Sequence, residues 1–433
     1  IGYGLHRYSV DKRWLVPHFE KMLYDQALLI HAFIDLYMVT KNDRYKEIVN
    51  EIITYLERDM LSDLGVFYSA EDADSQGKEG TYYIWTYDEI INLGLDEDDF
   101  EIVLDYFNIS KKGNFEHDTN ILTRDDSNNI GKNYTIKKIQ TLINEMFIYR
   151  EKKVRPLKDD KILVDWNGLV ISAIARAGAV FENTLYESIA VKSMRFIMEH
   201  MIDKNGGLFK SYRNGISKGV GVLDDYAFTI WALIELYNLT FDPIYLKYAS
   251  KLSDYQIKHF WDTENYGFFF TSDISEQLIA RTKEYFDGAI PSGNSVSTMN
   301  FIKLSKILSN IDYEHIAIKT MDSYATKINT GSSAFSMMLQ AVHYVYGKNF
   351  EVIVYSKDTN KTKKMIKELR SIYQPNMVIM VFDDSNKKEI SKLIPYIELL
   401  PESKLETQIY ICQNYSCKLP TNDLNKVKSF LLE

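Results

Sequence analysis

The chain has 433 residues, 45% of them hydrophobic and 26% charged, enough to bury more than one small core. With 51 Lys and Arg scattered against 60 Asp and Glu, the net charge is -9 and no basic stripe gathers, which argues against nucleic acid as a partner. No apolar run reaches the roughly 18 to 20 residues that span a bilayer, and no signal-peptide layout opens the chain, so no membrane partner and a cytoplasmic location are expected.

Residues 1–26 form a loop rich in His, Arg, Lys, carboxylate and aromatic side chains. The chain starts without Met and inside this loop, as expected of the downstream part of a longer protein. Helices of two kinds then alternate. Residues 19–39 are apolar on almost every face, whereas 44–60 carry one stripe at Ile48, Ile52, Tyr55 and Leu56; the first predicts a buried helix, the second a surface helix. The pair recurs at 166–181 with 185–201, at 226–237 with 244–260 and at 292–308 with 313–328, and 334–346 supplies a further apolar helix. Glycine-aromatic segments follow the striped helices: GVFY at 65–68, GGLF at 206–209 and GFFF at 267–270. Asp63, Asp203 and Asp262 precede them and are expected to close the turns, each leading into a short hairpin.

A helix apolar all round needs neighbours on every side, and a striped one needs a neighbour on one side only. Inner and outer rings of helices satisfy both. Inner helices starting near 166, 224 and 292 lie 58 and 68 residues apart, ordinary for helical hairpins with variable loops. The expected fold class is therefore mainly α, an α/α toroid of helical hairpins with short β-hairpin insertions over residues 1–347. Within it, 87–107 and 135–153 read as helices around a polar loop at 110–133. Beyond 347 the pattern changes. Short β-branched runs at 351–355, 377–382 and 408–412, separated by Lys-rich helical stretches and closed by a helix at 424–432, predict a small α/β domain at 348–433. Cys412 and Cys417, the two cysteines of the chain, allow at most one local bridge and match neither redox nor zinc spacing, so they are read as structural or incidental.

In a ring of hairpins the starts of the inner helices converge on one mouth. Those starts read HFEKMLYD (18–25), DWNG (165–168), LDDYAF (223–228) and PSGNS (291–295), each mixing aromatic or Gly with carboxylate or amide groups. Planar hydrogen-bonding side chains fix sugar hydroxyls and aromatic rings cover the apolar sugar face, so the mixture points to carbohydrate. Asp, Asn and Ser at helix starts are also plain caps, an alternative that accounts for Asp224, Ser292 and Asp165. YSAEDADS (68–75) suits a general acid or a calcium loop but lacks the glycine and twelfth-position Glu of an EF-hand. RTKEYFDG (281–288) brings Arg281, Lys283, Glu284 and Asp287 to the lead-in of the PSGN helix, with an exposed salt-bridged loop as the alternative, and GNFEHDTNIL (113–122), with Glu116, His117 and Asn120, reads as a loop reaching the mouth.

The candidate catalytic residues are His6, His18, Asp25, Asp225 and Glu284. His moves protons near neutral pH, so His6 and His18 on opposite faces of an open-chain sugar would support isomerisation, with a structural hydrogen-bonding role as the alternative. Asp25 and Asp225 offer a carboxylate pair for glycoside cleavage. Arg7, Tyr8, Glu20, Glu71, Asp72, Trp166, Asn167, Asp224, Tyr226, Arg281 and Asn294 are the candidate substrate-binding residues. Neither metal nor cofactor is expected.

The strings HRYSVD (6–11), WLVPHFEKMLYD (14–25), YSAEDADS, DDKIL with WNGL (159–169), LDDYAF and DGAIPSGNS (287–295) resemble the YyaL-like family, which includes spermatogenesis-associated protein 20. The resemblance covers essentially the whole chain, including a C-terminal segment with a Cys pair before Pro420. It implies a toroid similar to six-hairpin glycosidases and N-acylglucosamine 2-epimerases, with five of six hairpins present. It also implies an N-terminal thioredoxin-like domain that this chain lacks. Tyr3 and Leu5 stand where Gly and Phe are usual, and Asp165 where a small hydroxyl residue is usual. Three functional readings follow: a carbohydrate-active enzyme acting as isomerase or hydrolase, a redox-linked scaffold in which a thioredoxin-like domain does the chemistry and the toroid binds a protein client, and a non-catalytic sugar-binding module.

Overall fold

Buried apolar side chains on every turn and polar N-caps set where the helices run. A computed structural model of the chain describes residues 1–124, 135–276, 279–357, 359–384, 386–400, 406–413, 416–418 and 420–432. Residues 125–133 of the expected polar loop lie outside the described residues. The chain divides into two compact units: Ile1–Gln26, Glu51–Met60 and Tyr68–Asp160 in the first, and Ala27–Asn50, Leu61–Phe67 and Lys161–Glu433 in the second.

The second unit carries the helical hairpins. Inner helices are α1 (Leu23–Thr40, from Ala27 onward), α6 (Val164–Phe181), α8 (Leu223–Thr240), α10 (Gly293–Leu308) and α12 (Ser336–Tyr346). Outer helices are α2 (Asp43–Tyr55, as far as Asn50), α7 (Thr184–His200), α9 (Pro243–Phe260) and α11 (Ile311–Thr330). Neighbouring inner helices touch in sequence: His31 of α1 lies 2.9 Å from Ser172 Oγ of α6, and Asn300 of α10 donates to the Ala227 carbonyl of α8 at 2.7 Å. Between α6 and α8 the backbones meet at Gly168, where a Cβ would come within 2.6 Å of the Phe228 carbonyl carbon. Outer helices start on polar caps, Asn183 for α7, Asp242 for α9 and Asn310 for α11, each side chain accepting a backbone N–H of the first turn. The fold is mainly α and of the α/α-toroid type. Four hairpins and the single helix α12 are present among the described residues, one partner short of the five hairpins implied by the resemblance.

Within the same unit, Phe350–Ser356 pairs in parallel with Met377–Phe382 and antiparallel with Thr407–Gln413, which pairs with Ser416–Cys417. Helices α13 (Thr359–Arg370) and α15 (Leu424–Leu432) accompany this sheet, and α14 (Lys387–Leu393) follows its second strand. Cys412 and Cys417 form a disulfide across adjacent strands, which makes them structural. The sheet belongs to the same compact unit as the hairpins.

The first unit has its own cores, which is why it separates from the hairpins. Trp85, Ile90, Val103, Leu142 and Met146 form one, and Phe19, Ala73 and Ile121 another. Its helices are α3 (Tyr87–Ile91), α4 (Glu97–Tyr106) and α5 (Ile136–Arg150). The single helix read at 87–107 is broken because Gly94 takes a left-handed conformation and Asp96 then caps α4 by accepting the Asp99 N–H at 2.8 Å. Short strands Lys21–Met22, Ala70–Glu71 and Lys158–Asp159 make a three-stranded sheet in which Lys21 faces Glu71.

Candidate functional site

A repeated clamp accounts for three residues read as substrate ligands. In the second unit, three of the outer helices, α2, α7 and α9, are followed by a one-pair bridge: Leu61 with Phe67, Ile202 with Leu208 and Trp261 with Phe268. The first turn of the following inner helix then grips that bridge. Asn167 of α6 accepts the Phe67 N–H and donates to the Phe67 carbonyl, both at 2.9 Å. Asn294 of α10 does the same for Phe268, at 2.7 and 2.9 Å, and also donates to the Glu284 carbonyl. The Tyr226 hydroxyl of α8 accepts the Leu208 N–H at 2.8 Å while its ring stacks on Tyr255. These groups are buried and their hydrogen bonds go to backbone, so Asn167, Tyr226 and Asn294 join helices where sugar contacts were expected. The turn-closing roles of Asp203 and Asp262 hold, Asp203 accepting from Asn205 and Gly207 and Asp262 from Glu264 and Asn265. At the first bridge the role falls to Ser62 and not to Asp63, through hydrogen bonds with Val66 and Gly65.

Beside the clamp, the starts of α6, α8 and α10 gather carboxylates. Asp225 is fully buried, and its oxygens accept the Asp165 N–H at 3.0 Å, the Val222 N–H at 2.7 Å and the Lys210 ammonium at 3.2 Å. Burial and Asp165 push its pKa upward, with Lys210 and the Val222 N–H opposing. With a hydrogen bond at each oxygen, Asp225 serves as a cap at the start of α8. Asp165 accepts the Trp166 N–H at 2.9 Å and pairs with Lys210 at 2.5 Å. Burial lowers the Lys210 pKa but Asp225 and Asp165 outweigh it, holding the ammonium charged.

Asp224 is different. It is 6% exposed, and its buried Oδ1 has no hydrogen-bond partner among the described residues. Burial, then the charges of Asp165 and Glu284, push its pKa up to about 7, against Lys210 and the Gly293 N–H. Gly293 is required there, since a Cβ would come within 2.3 Å of Asp224 Oδ1. Glu284, on the lead-in to α10, is exposed. Arg281 donates to the Thr271 carbonyl at 3.0 Å and the His259 carbonyl at 2.9 Å with its guanidinium over Phe269, so it fastens its own loop.

The first unit brings together a second group of the expected residues. Arg7 lies 3.4 Å from Glu20 and 3.6 Å from Asp25, with its guanidinium beside the rings of Tyr8 and Tyr24. His18 Nδ1 lies 3.2 Å from Glu20, and its ring stacks on Tyr8 at 4.7 Å. Burial pushes Asp25 up to about 6, Arg7 opposing and Glu20 adding. His6 stands apart from this group: its Nδ1 is 2.9 Å from the Phe19 carbonyl, its ring packs edge-on against Tyr83, and burial with the Lys21 charge lowers its pKa to about 3. Glu71 is buried, accepting the Tyr55 hydroxyl at 2.8 Å and lying 3.6 Å from Arg155. Asp72 is exposed and lies 3.4 Å from the Asp74 N–H. Among the described residues no group of three or more His, Cys, Asp or Glu could hold a metal ion, and the calcium-loop alternative for 68–75 finds no ligand set.

Lys210 escaped the sequence reading. Its signal was its place on the strand Phe209–Arg213, directly after a glycine-aromatic turn, where a lone Lys faces two carboxylates only once the chain is folded.

The elements above define a helical-hairpin protein of the α/α-toroid type with acidic inner-helix starts. Over all of its length the chain is similar to spermatogenesis-associated protein 20 of Homo sapiens, 29% identical across 472 aligned positions, and it spans 60% of that relative. The resemblance carried by the motifs is thus borne out along the full chain. No family model matches it. Among solved structures, it is similar to cellobiose 2-epimerase from Bacillus thermoamylovorans B4167 (12% identity, 75% of this chain and 66% of that one, TM-score 0.49). It is also similar to the GH76 alpha-mannanase of Bacteroides thetaiotaomicron (11% identity, 76% and 75%, TM-score 0.41). No described helix is long and apolar enough to cross a membrane.

Proposed function

We propose that the second unit hydrolyses a glycosidic bond, with Asp224 as the acid and Glu284 as the base. The observation that carries this reading is the unpartnered, buried Oδ1 of Asp224 together with a pKa near 7. A carboxyl group that keeps its proton near neutral pH can give it to the leaving glycosidic oxygen, while an ionised neighbour takes a proton from the attacking water. The C–O bond breaks and water adds across it; Glu284 then releases to solvent the proton it took, and Asp224 regains its own from solvent. Trp166 stands at the same helix start, half-buried, and supplies an aromatic face for a sugar ring.

A second reading rests on the first unit, where His18, Glu20, Arg7 and Asp25 cluster beside Tyr8. A histidine whose ring stacks on Tyr8 and lies 3.2 Å from the Glu20 carboxylate is suited to abstract the proton next to an open-chain sugar carbonyl, which is isomerase chemistry.

Proton NMR in heavy water of the chain with aldoses, N-acetyl amino sugars and short oligosaccharides separates the two. New anomeric signals that vanish in Asp224→Asn support hydrolysis. Loss of the signal beside the carbonyl, abolished by His18→Asn, supports isomerisation, and an unchanged panel sinks both and leaves a client-binding scaffold.

A further inference from the structure

A cavity of about 620 Å³ opens in the second unit, lined by the middle and later turns of α1, α6, α8 and α10 and by α12 from its first residue, Ser336. Arg176 and Glu235 on its wall each follow Asp165 and Asp224 by eleven residues on the same helix. At 1.5 Å per residue that is roughly 16 Å along the axis, so the cavity is separate from the acid cluster.

Its wall is built from paired charges around an aromatic platform. Arg176 pairs with Asp35, and Lys303 lies 3.5 Å from Glu235, so the cavity carries no net charge from these four groups. The His31 ring stacks on Trp231 with centroids 4.6 Å apart and an interplanar angle of 17°. Ser172 Oγ donates to the Leu169 carbonyl at 2.7 Å, so it accepts from His31 Nε2–H at 2.9 Å, and His31 Nδ1 faces Arg176 at 3.5 Å. That network fixes His31 as a neutral ring, in keeping with the low pKa that burial and Arg176 impose on it. Gln340 and Gln374 add planar amides at the wall, and Asn376 is held to His343 at 3.1 Å.

We propose that this cavity is a binding site for a neutral mono- or disaccharide, distinct from the acid cluster and without catalytic function. Balanced ion pairs present both donors and acceptors to hydroxyl groups but no surplus charge to a phosphate or carboxylate ligand, and Trp231 offers a ring face to the apolar side of a sugar. The volume falls within the roughly 300 to 1,000 Å³ usual for small-molecule sites. No carboxylate here is left unpaired to act as acid or base, since Arg176 holds Asp35 and Lys303 holds Glu235. The inference stands independently of the hydrolytic reading.

Calorimetric titration of the full chain with glucose, N-acetylglucosamine and cellobiose, with glucose 6-phosphate as the charged comparison, tests it. At least one neutral sugar should bind saturably and more tightly than the phosphate. Gln340 is exposed at the rim, so Gln340→Trp folds normally and narrows the entrance; it and Trp231→Ala should each weaken binding by about tenfold or more. Asp224→Asn should leave that binding unchanged. Binding that disappears in Asp224→Asn and survives Gln340→Trp would put the sugar at the acid cluster and overturn the assignment. So would tighter binding of glucose 6-phosphate, or no saturable binding of any neutral sugar.

Discussion

The Asn167 carboxamide satisfies both backbone groups of Phe67, accepting its N–H and donating to its carbonyl at 2.9 Å each. Asn294 repeats the arrangement on Phe268, and the Tyr226 hydroxyl takes half of it on Leu208. One polar side chain in the first turn of an inner helix thus locks the end of the preceding outer helix, where buried backbone would otherwise lack partners.

Replacing Asn167 or Asn294 with Leu should therefore lower stability by about 2–4 kcal/mol per site, since each leaves a buried N–H and C=O unpaired. Denaturant unfolding monitored by circular dichroism measures it. Loss of sugar binding with unchanged stability would instead return these residues to the substrate.

Asp224 makes the folded protein hold a proton that the unfolded chain releases at its ordinary 3.8. The sign follows: between about 4 and 7 the folded state binds more protons, so stability falls as pH rises through this window and stays reduced above it. Asp224→Asn should flatten that decline and raise the melting temperature at pH 8. If hydrolysis is detected, its rate should fall as pH rises through about 7, tracking loss of the acid. An unaltered melting profile in the variant would remove Asp224 as the group responsible.

Lys210 opposes the upward shift of Asp224 and neutralises Asp165 and Asp225. Lys210→Met should leave these carboxylates uncompensated, destabilising the chain by roughly 3–5 kcal/mol at pH 7 and less at pH 5, where Asp224 and Asp225, both raised above the ordinary carboxylate range, more readily hold protons. Equal losses at both pH values would contradict the ion-pair account.

His6 is held near 3 against an ordinary 6.5, so the unfolded chain takes up a proton that the folded one refuses. Stability should fall as pH drops from about 6.5 towards 3, and His6→Gln should lessen that fall if it folds. Acid titration followed by tyrosine fluorescence reads the difference. A catalytic His6 would instead show its effect on turnover near neutral pH.

Gly168 lets α6 and α8 approach to backbone contact. Gly168→Ala should cost about 1–3 kcal/mol by forcing the helices apart, despite alanine's better helix propensity, and a stabilised variant would refute the close approach.

The helices were legible because burial on all sides and burial on one side leave different sequence patterns, and α1, α2 and α6 to α12 lie where those patterns fall. So were the strand runs after 347, whose β-branched residues suit a buried sheet. The broken helix at 87–107 was not, because Leu93, Leu95 and Phe100 continue the apolar pattern across Gly94, and only the core around Trp85 and Val103 decides that the chain turns there. At the candidate sites, sequence placed carboxylates and amides at the inner-helix starts but left capping and chemistry undivided. Tertiary structure divides them through hydrogen-bond supply. Asp225 meets Val222, Asp165 and Lys210 and becomes a cap, whereas the Oδ1 of its neighbour Asp224, one residue earlier, makes no full hydrogen bond among the described residues and has only the Gly293 N–H acting on its carboxyl. Adjacent residues of one type differ only in the direction a helix turn gives them, about 100° per residue, and what lies in that direction comes from distant segments.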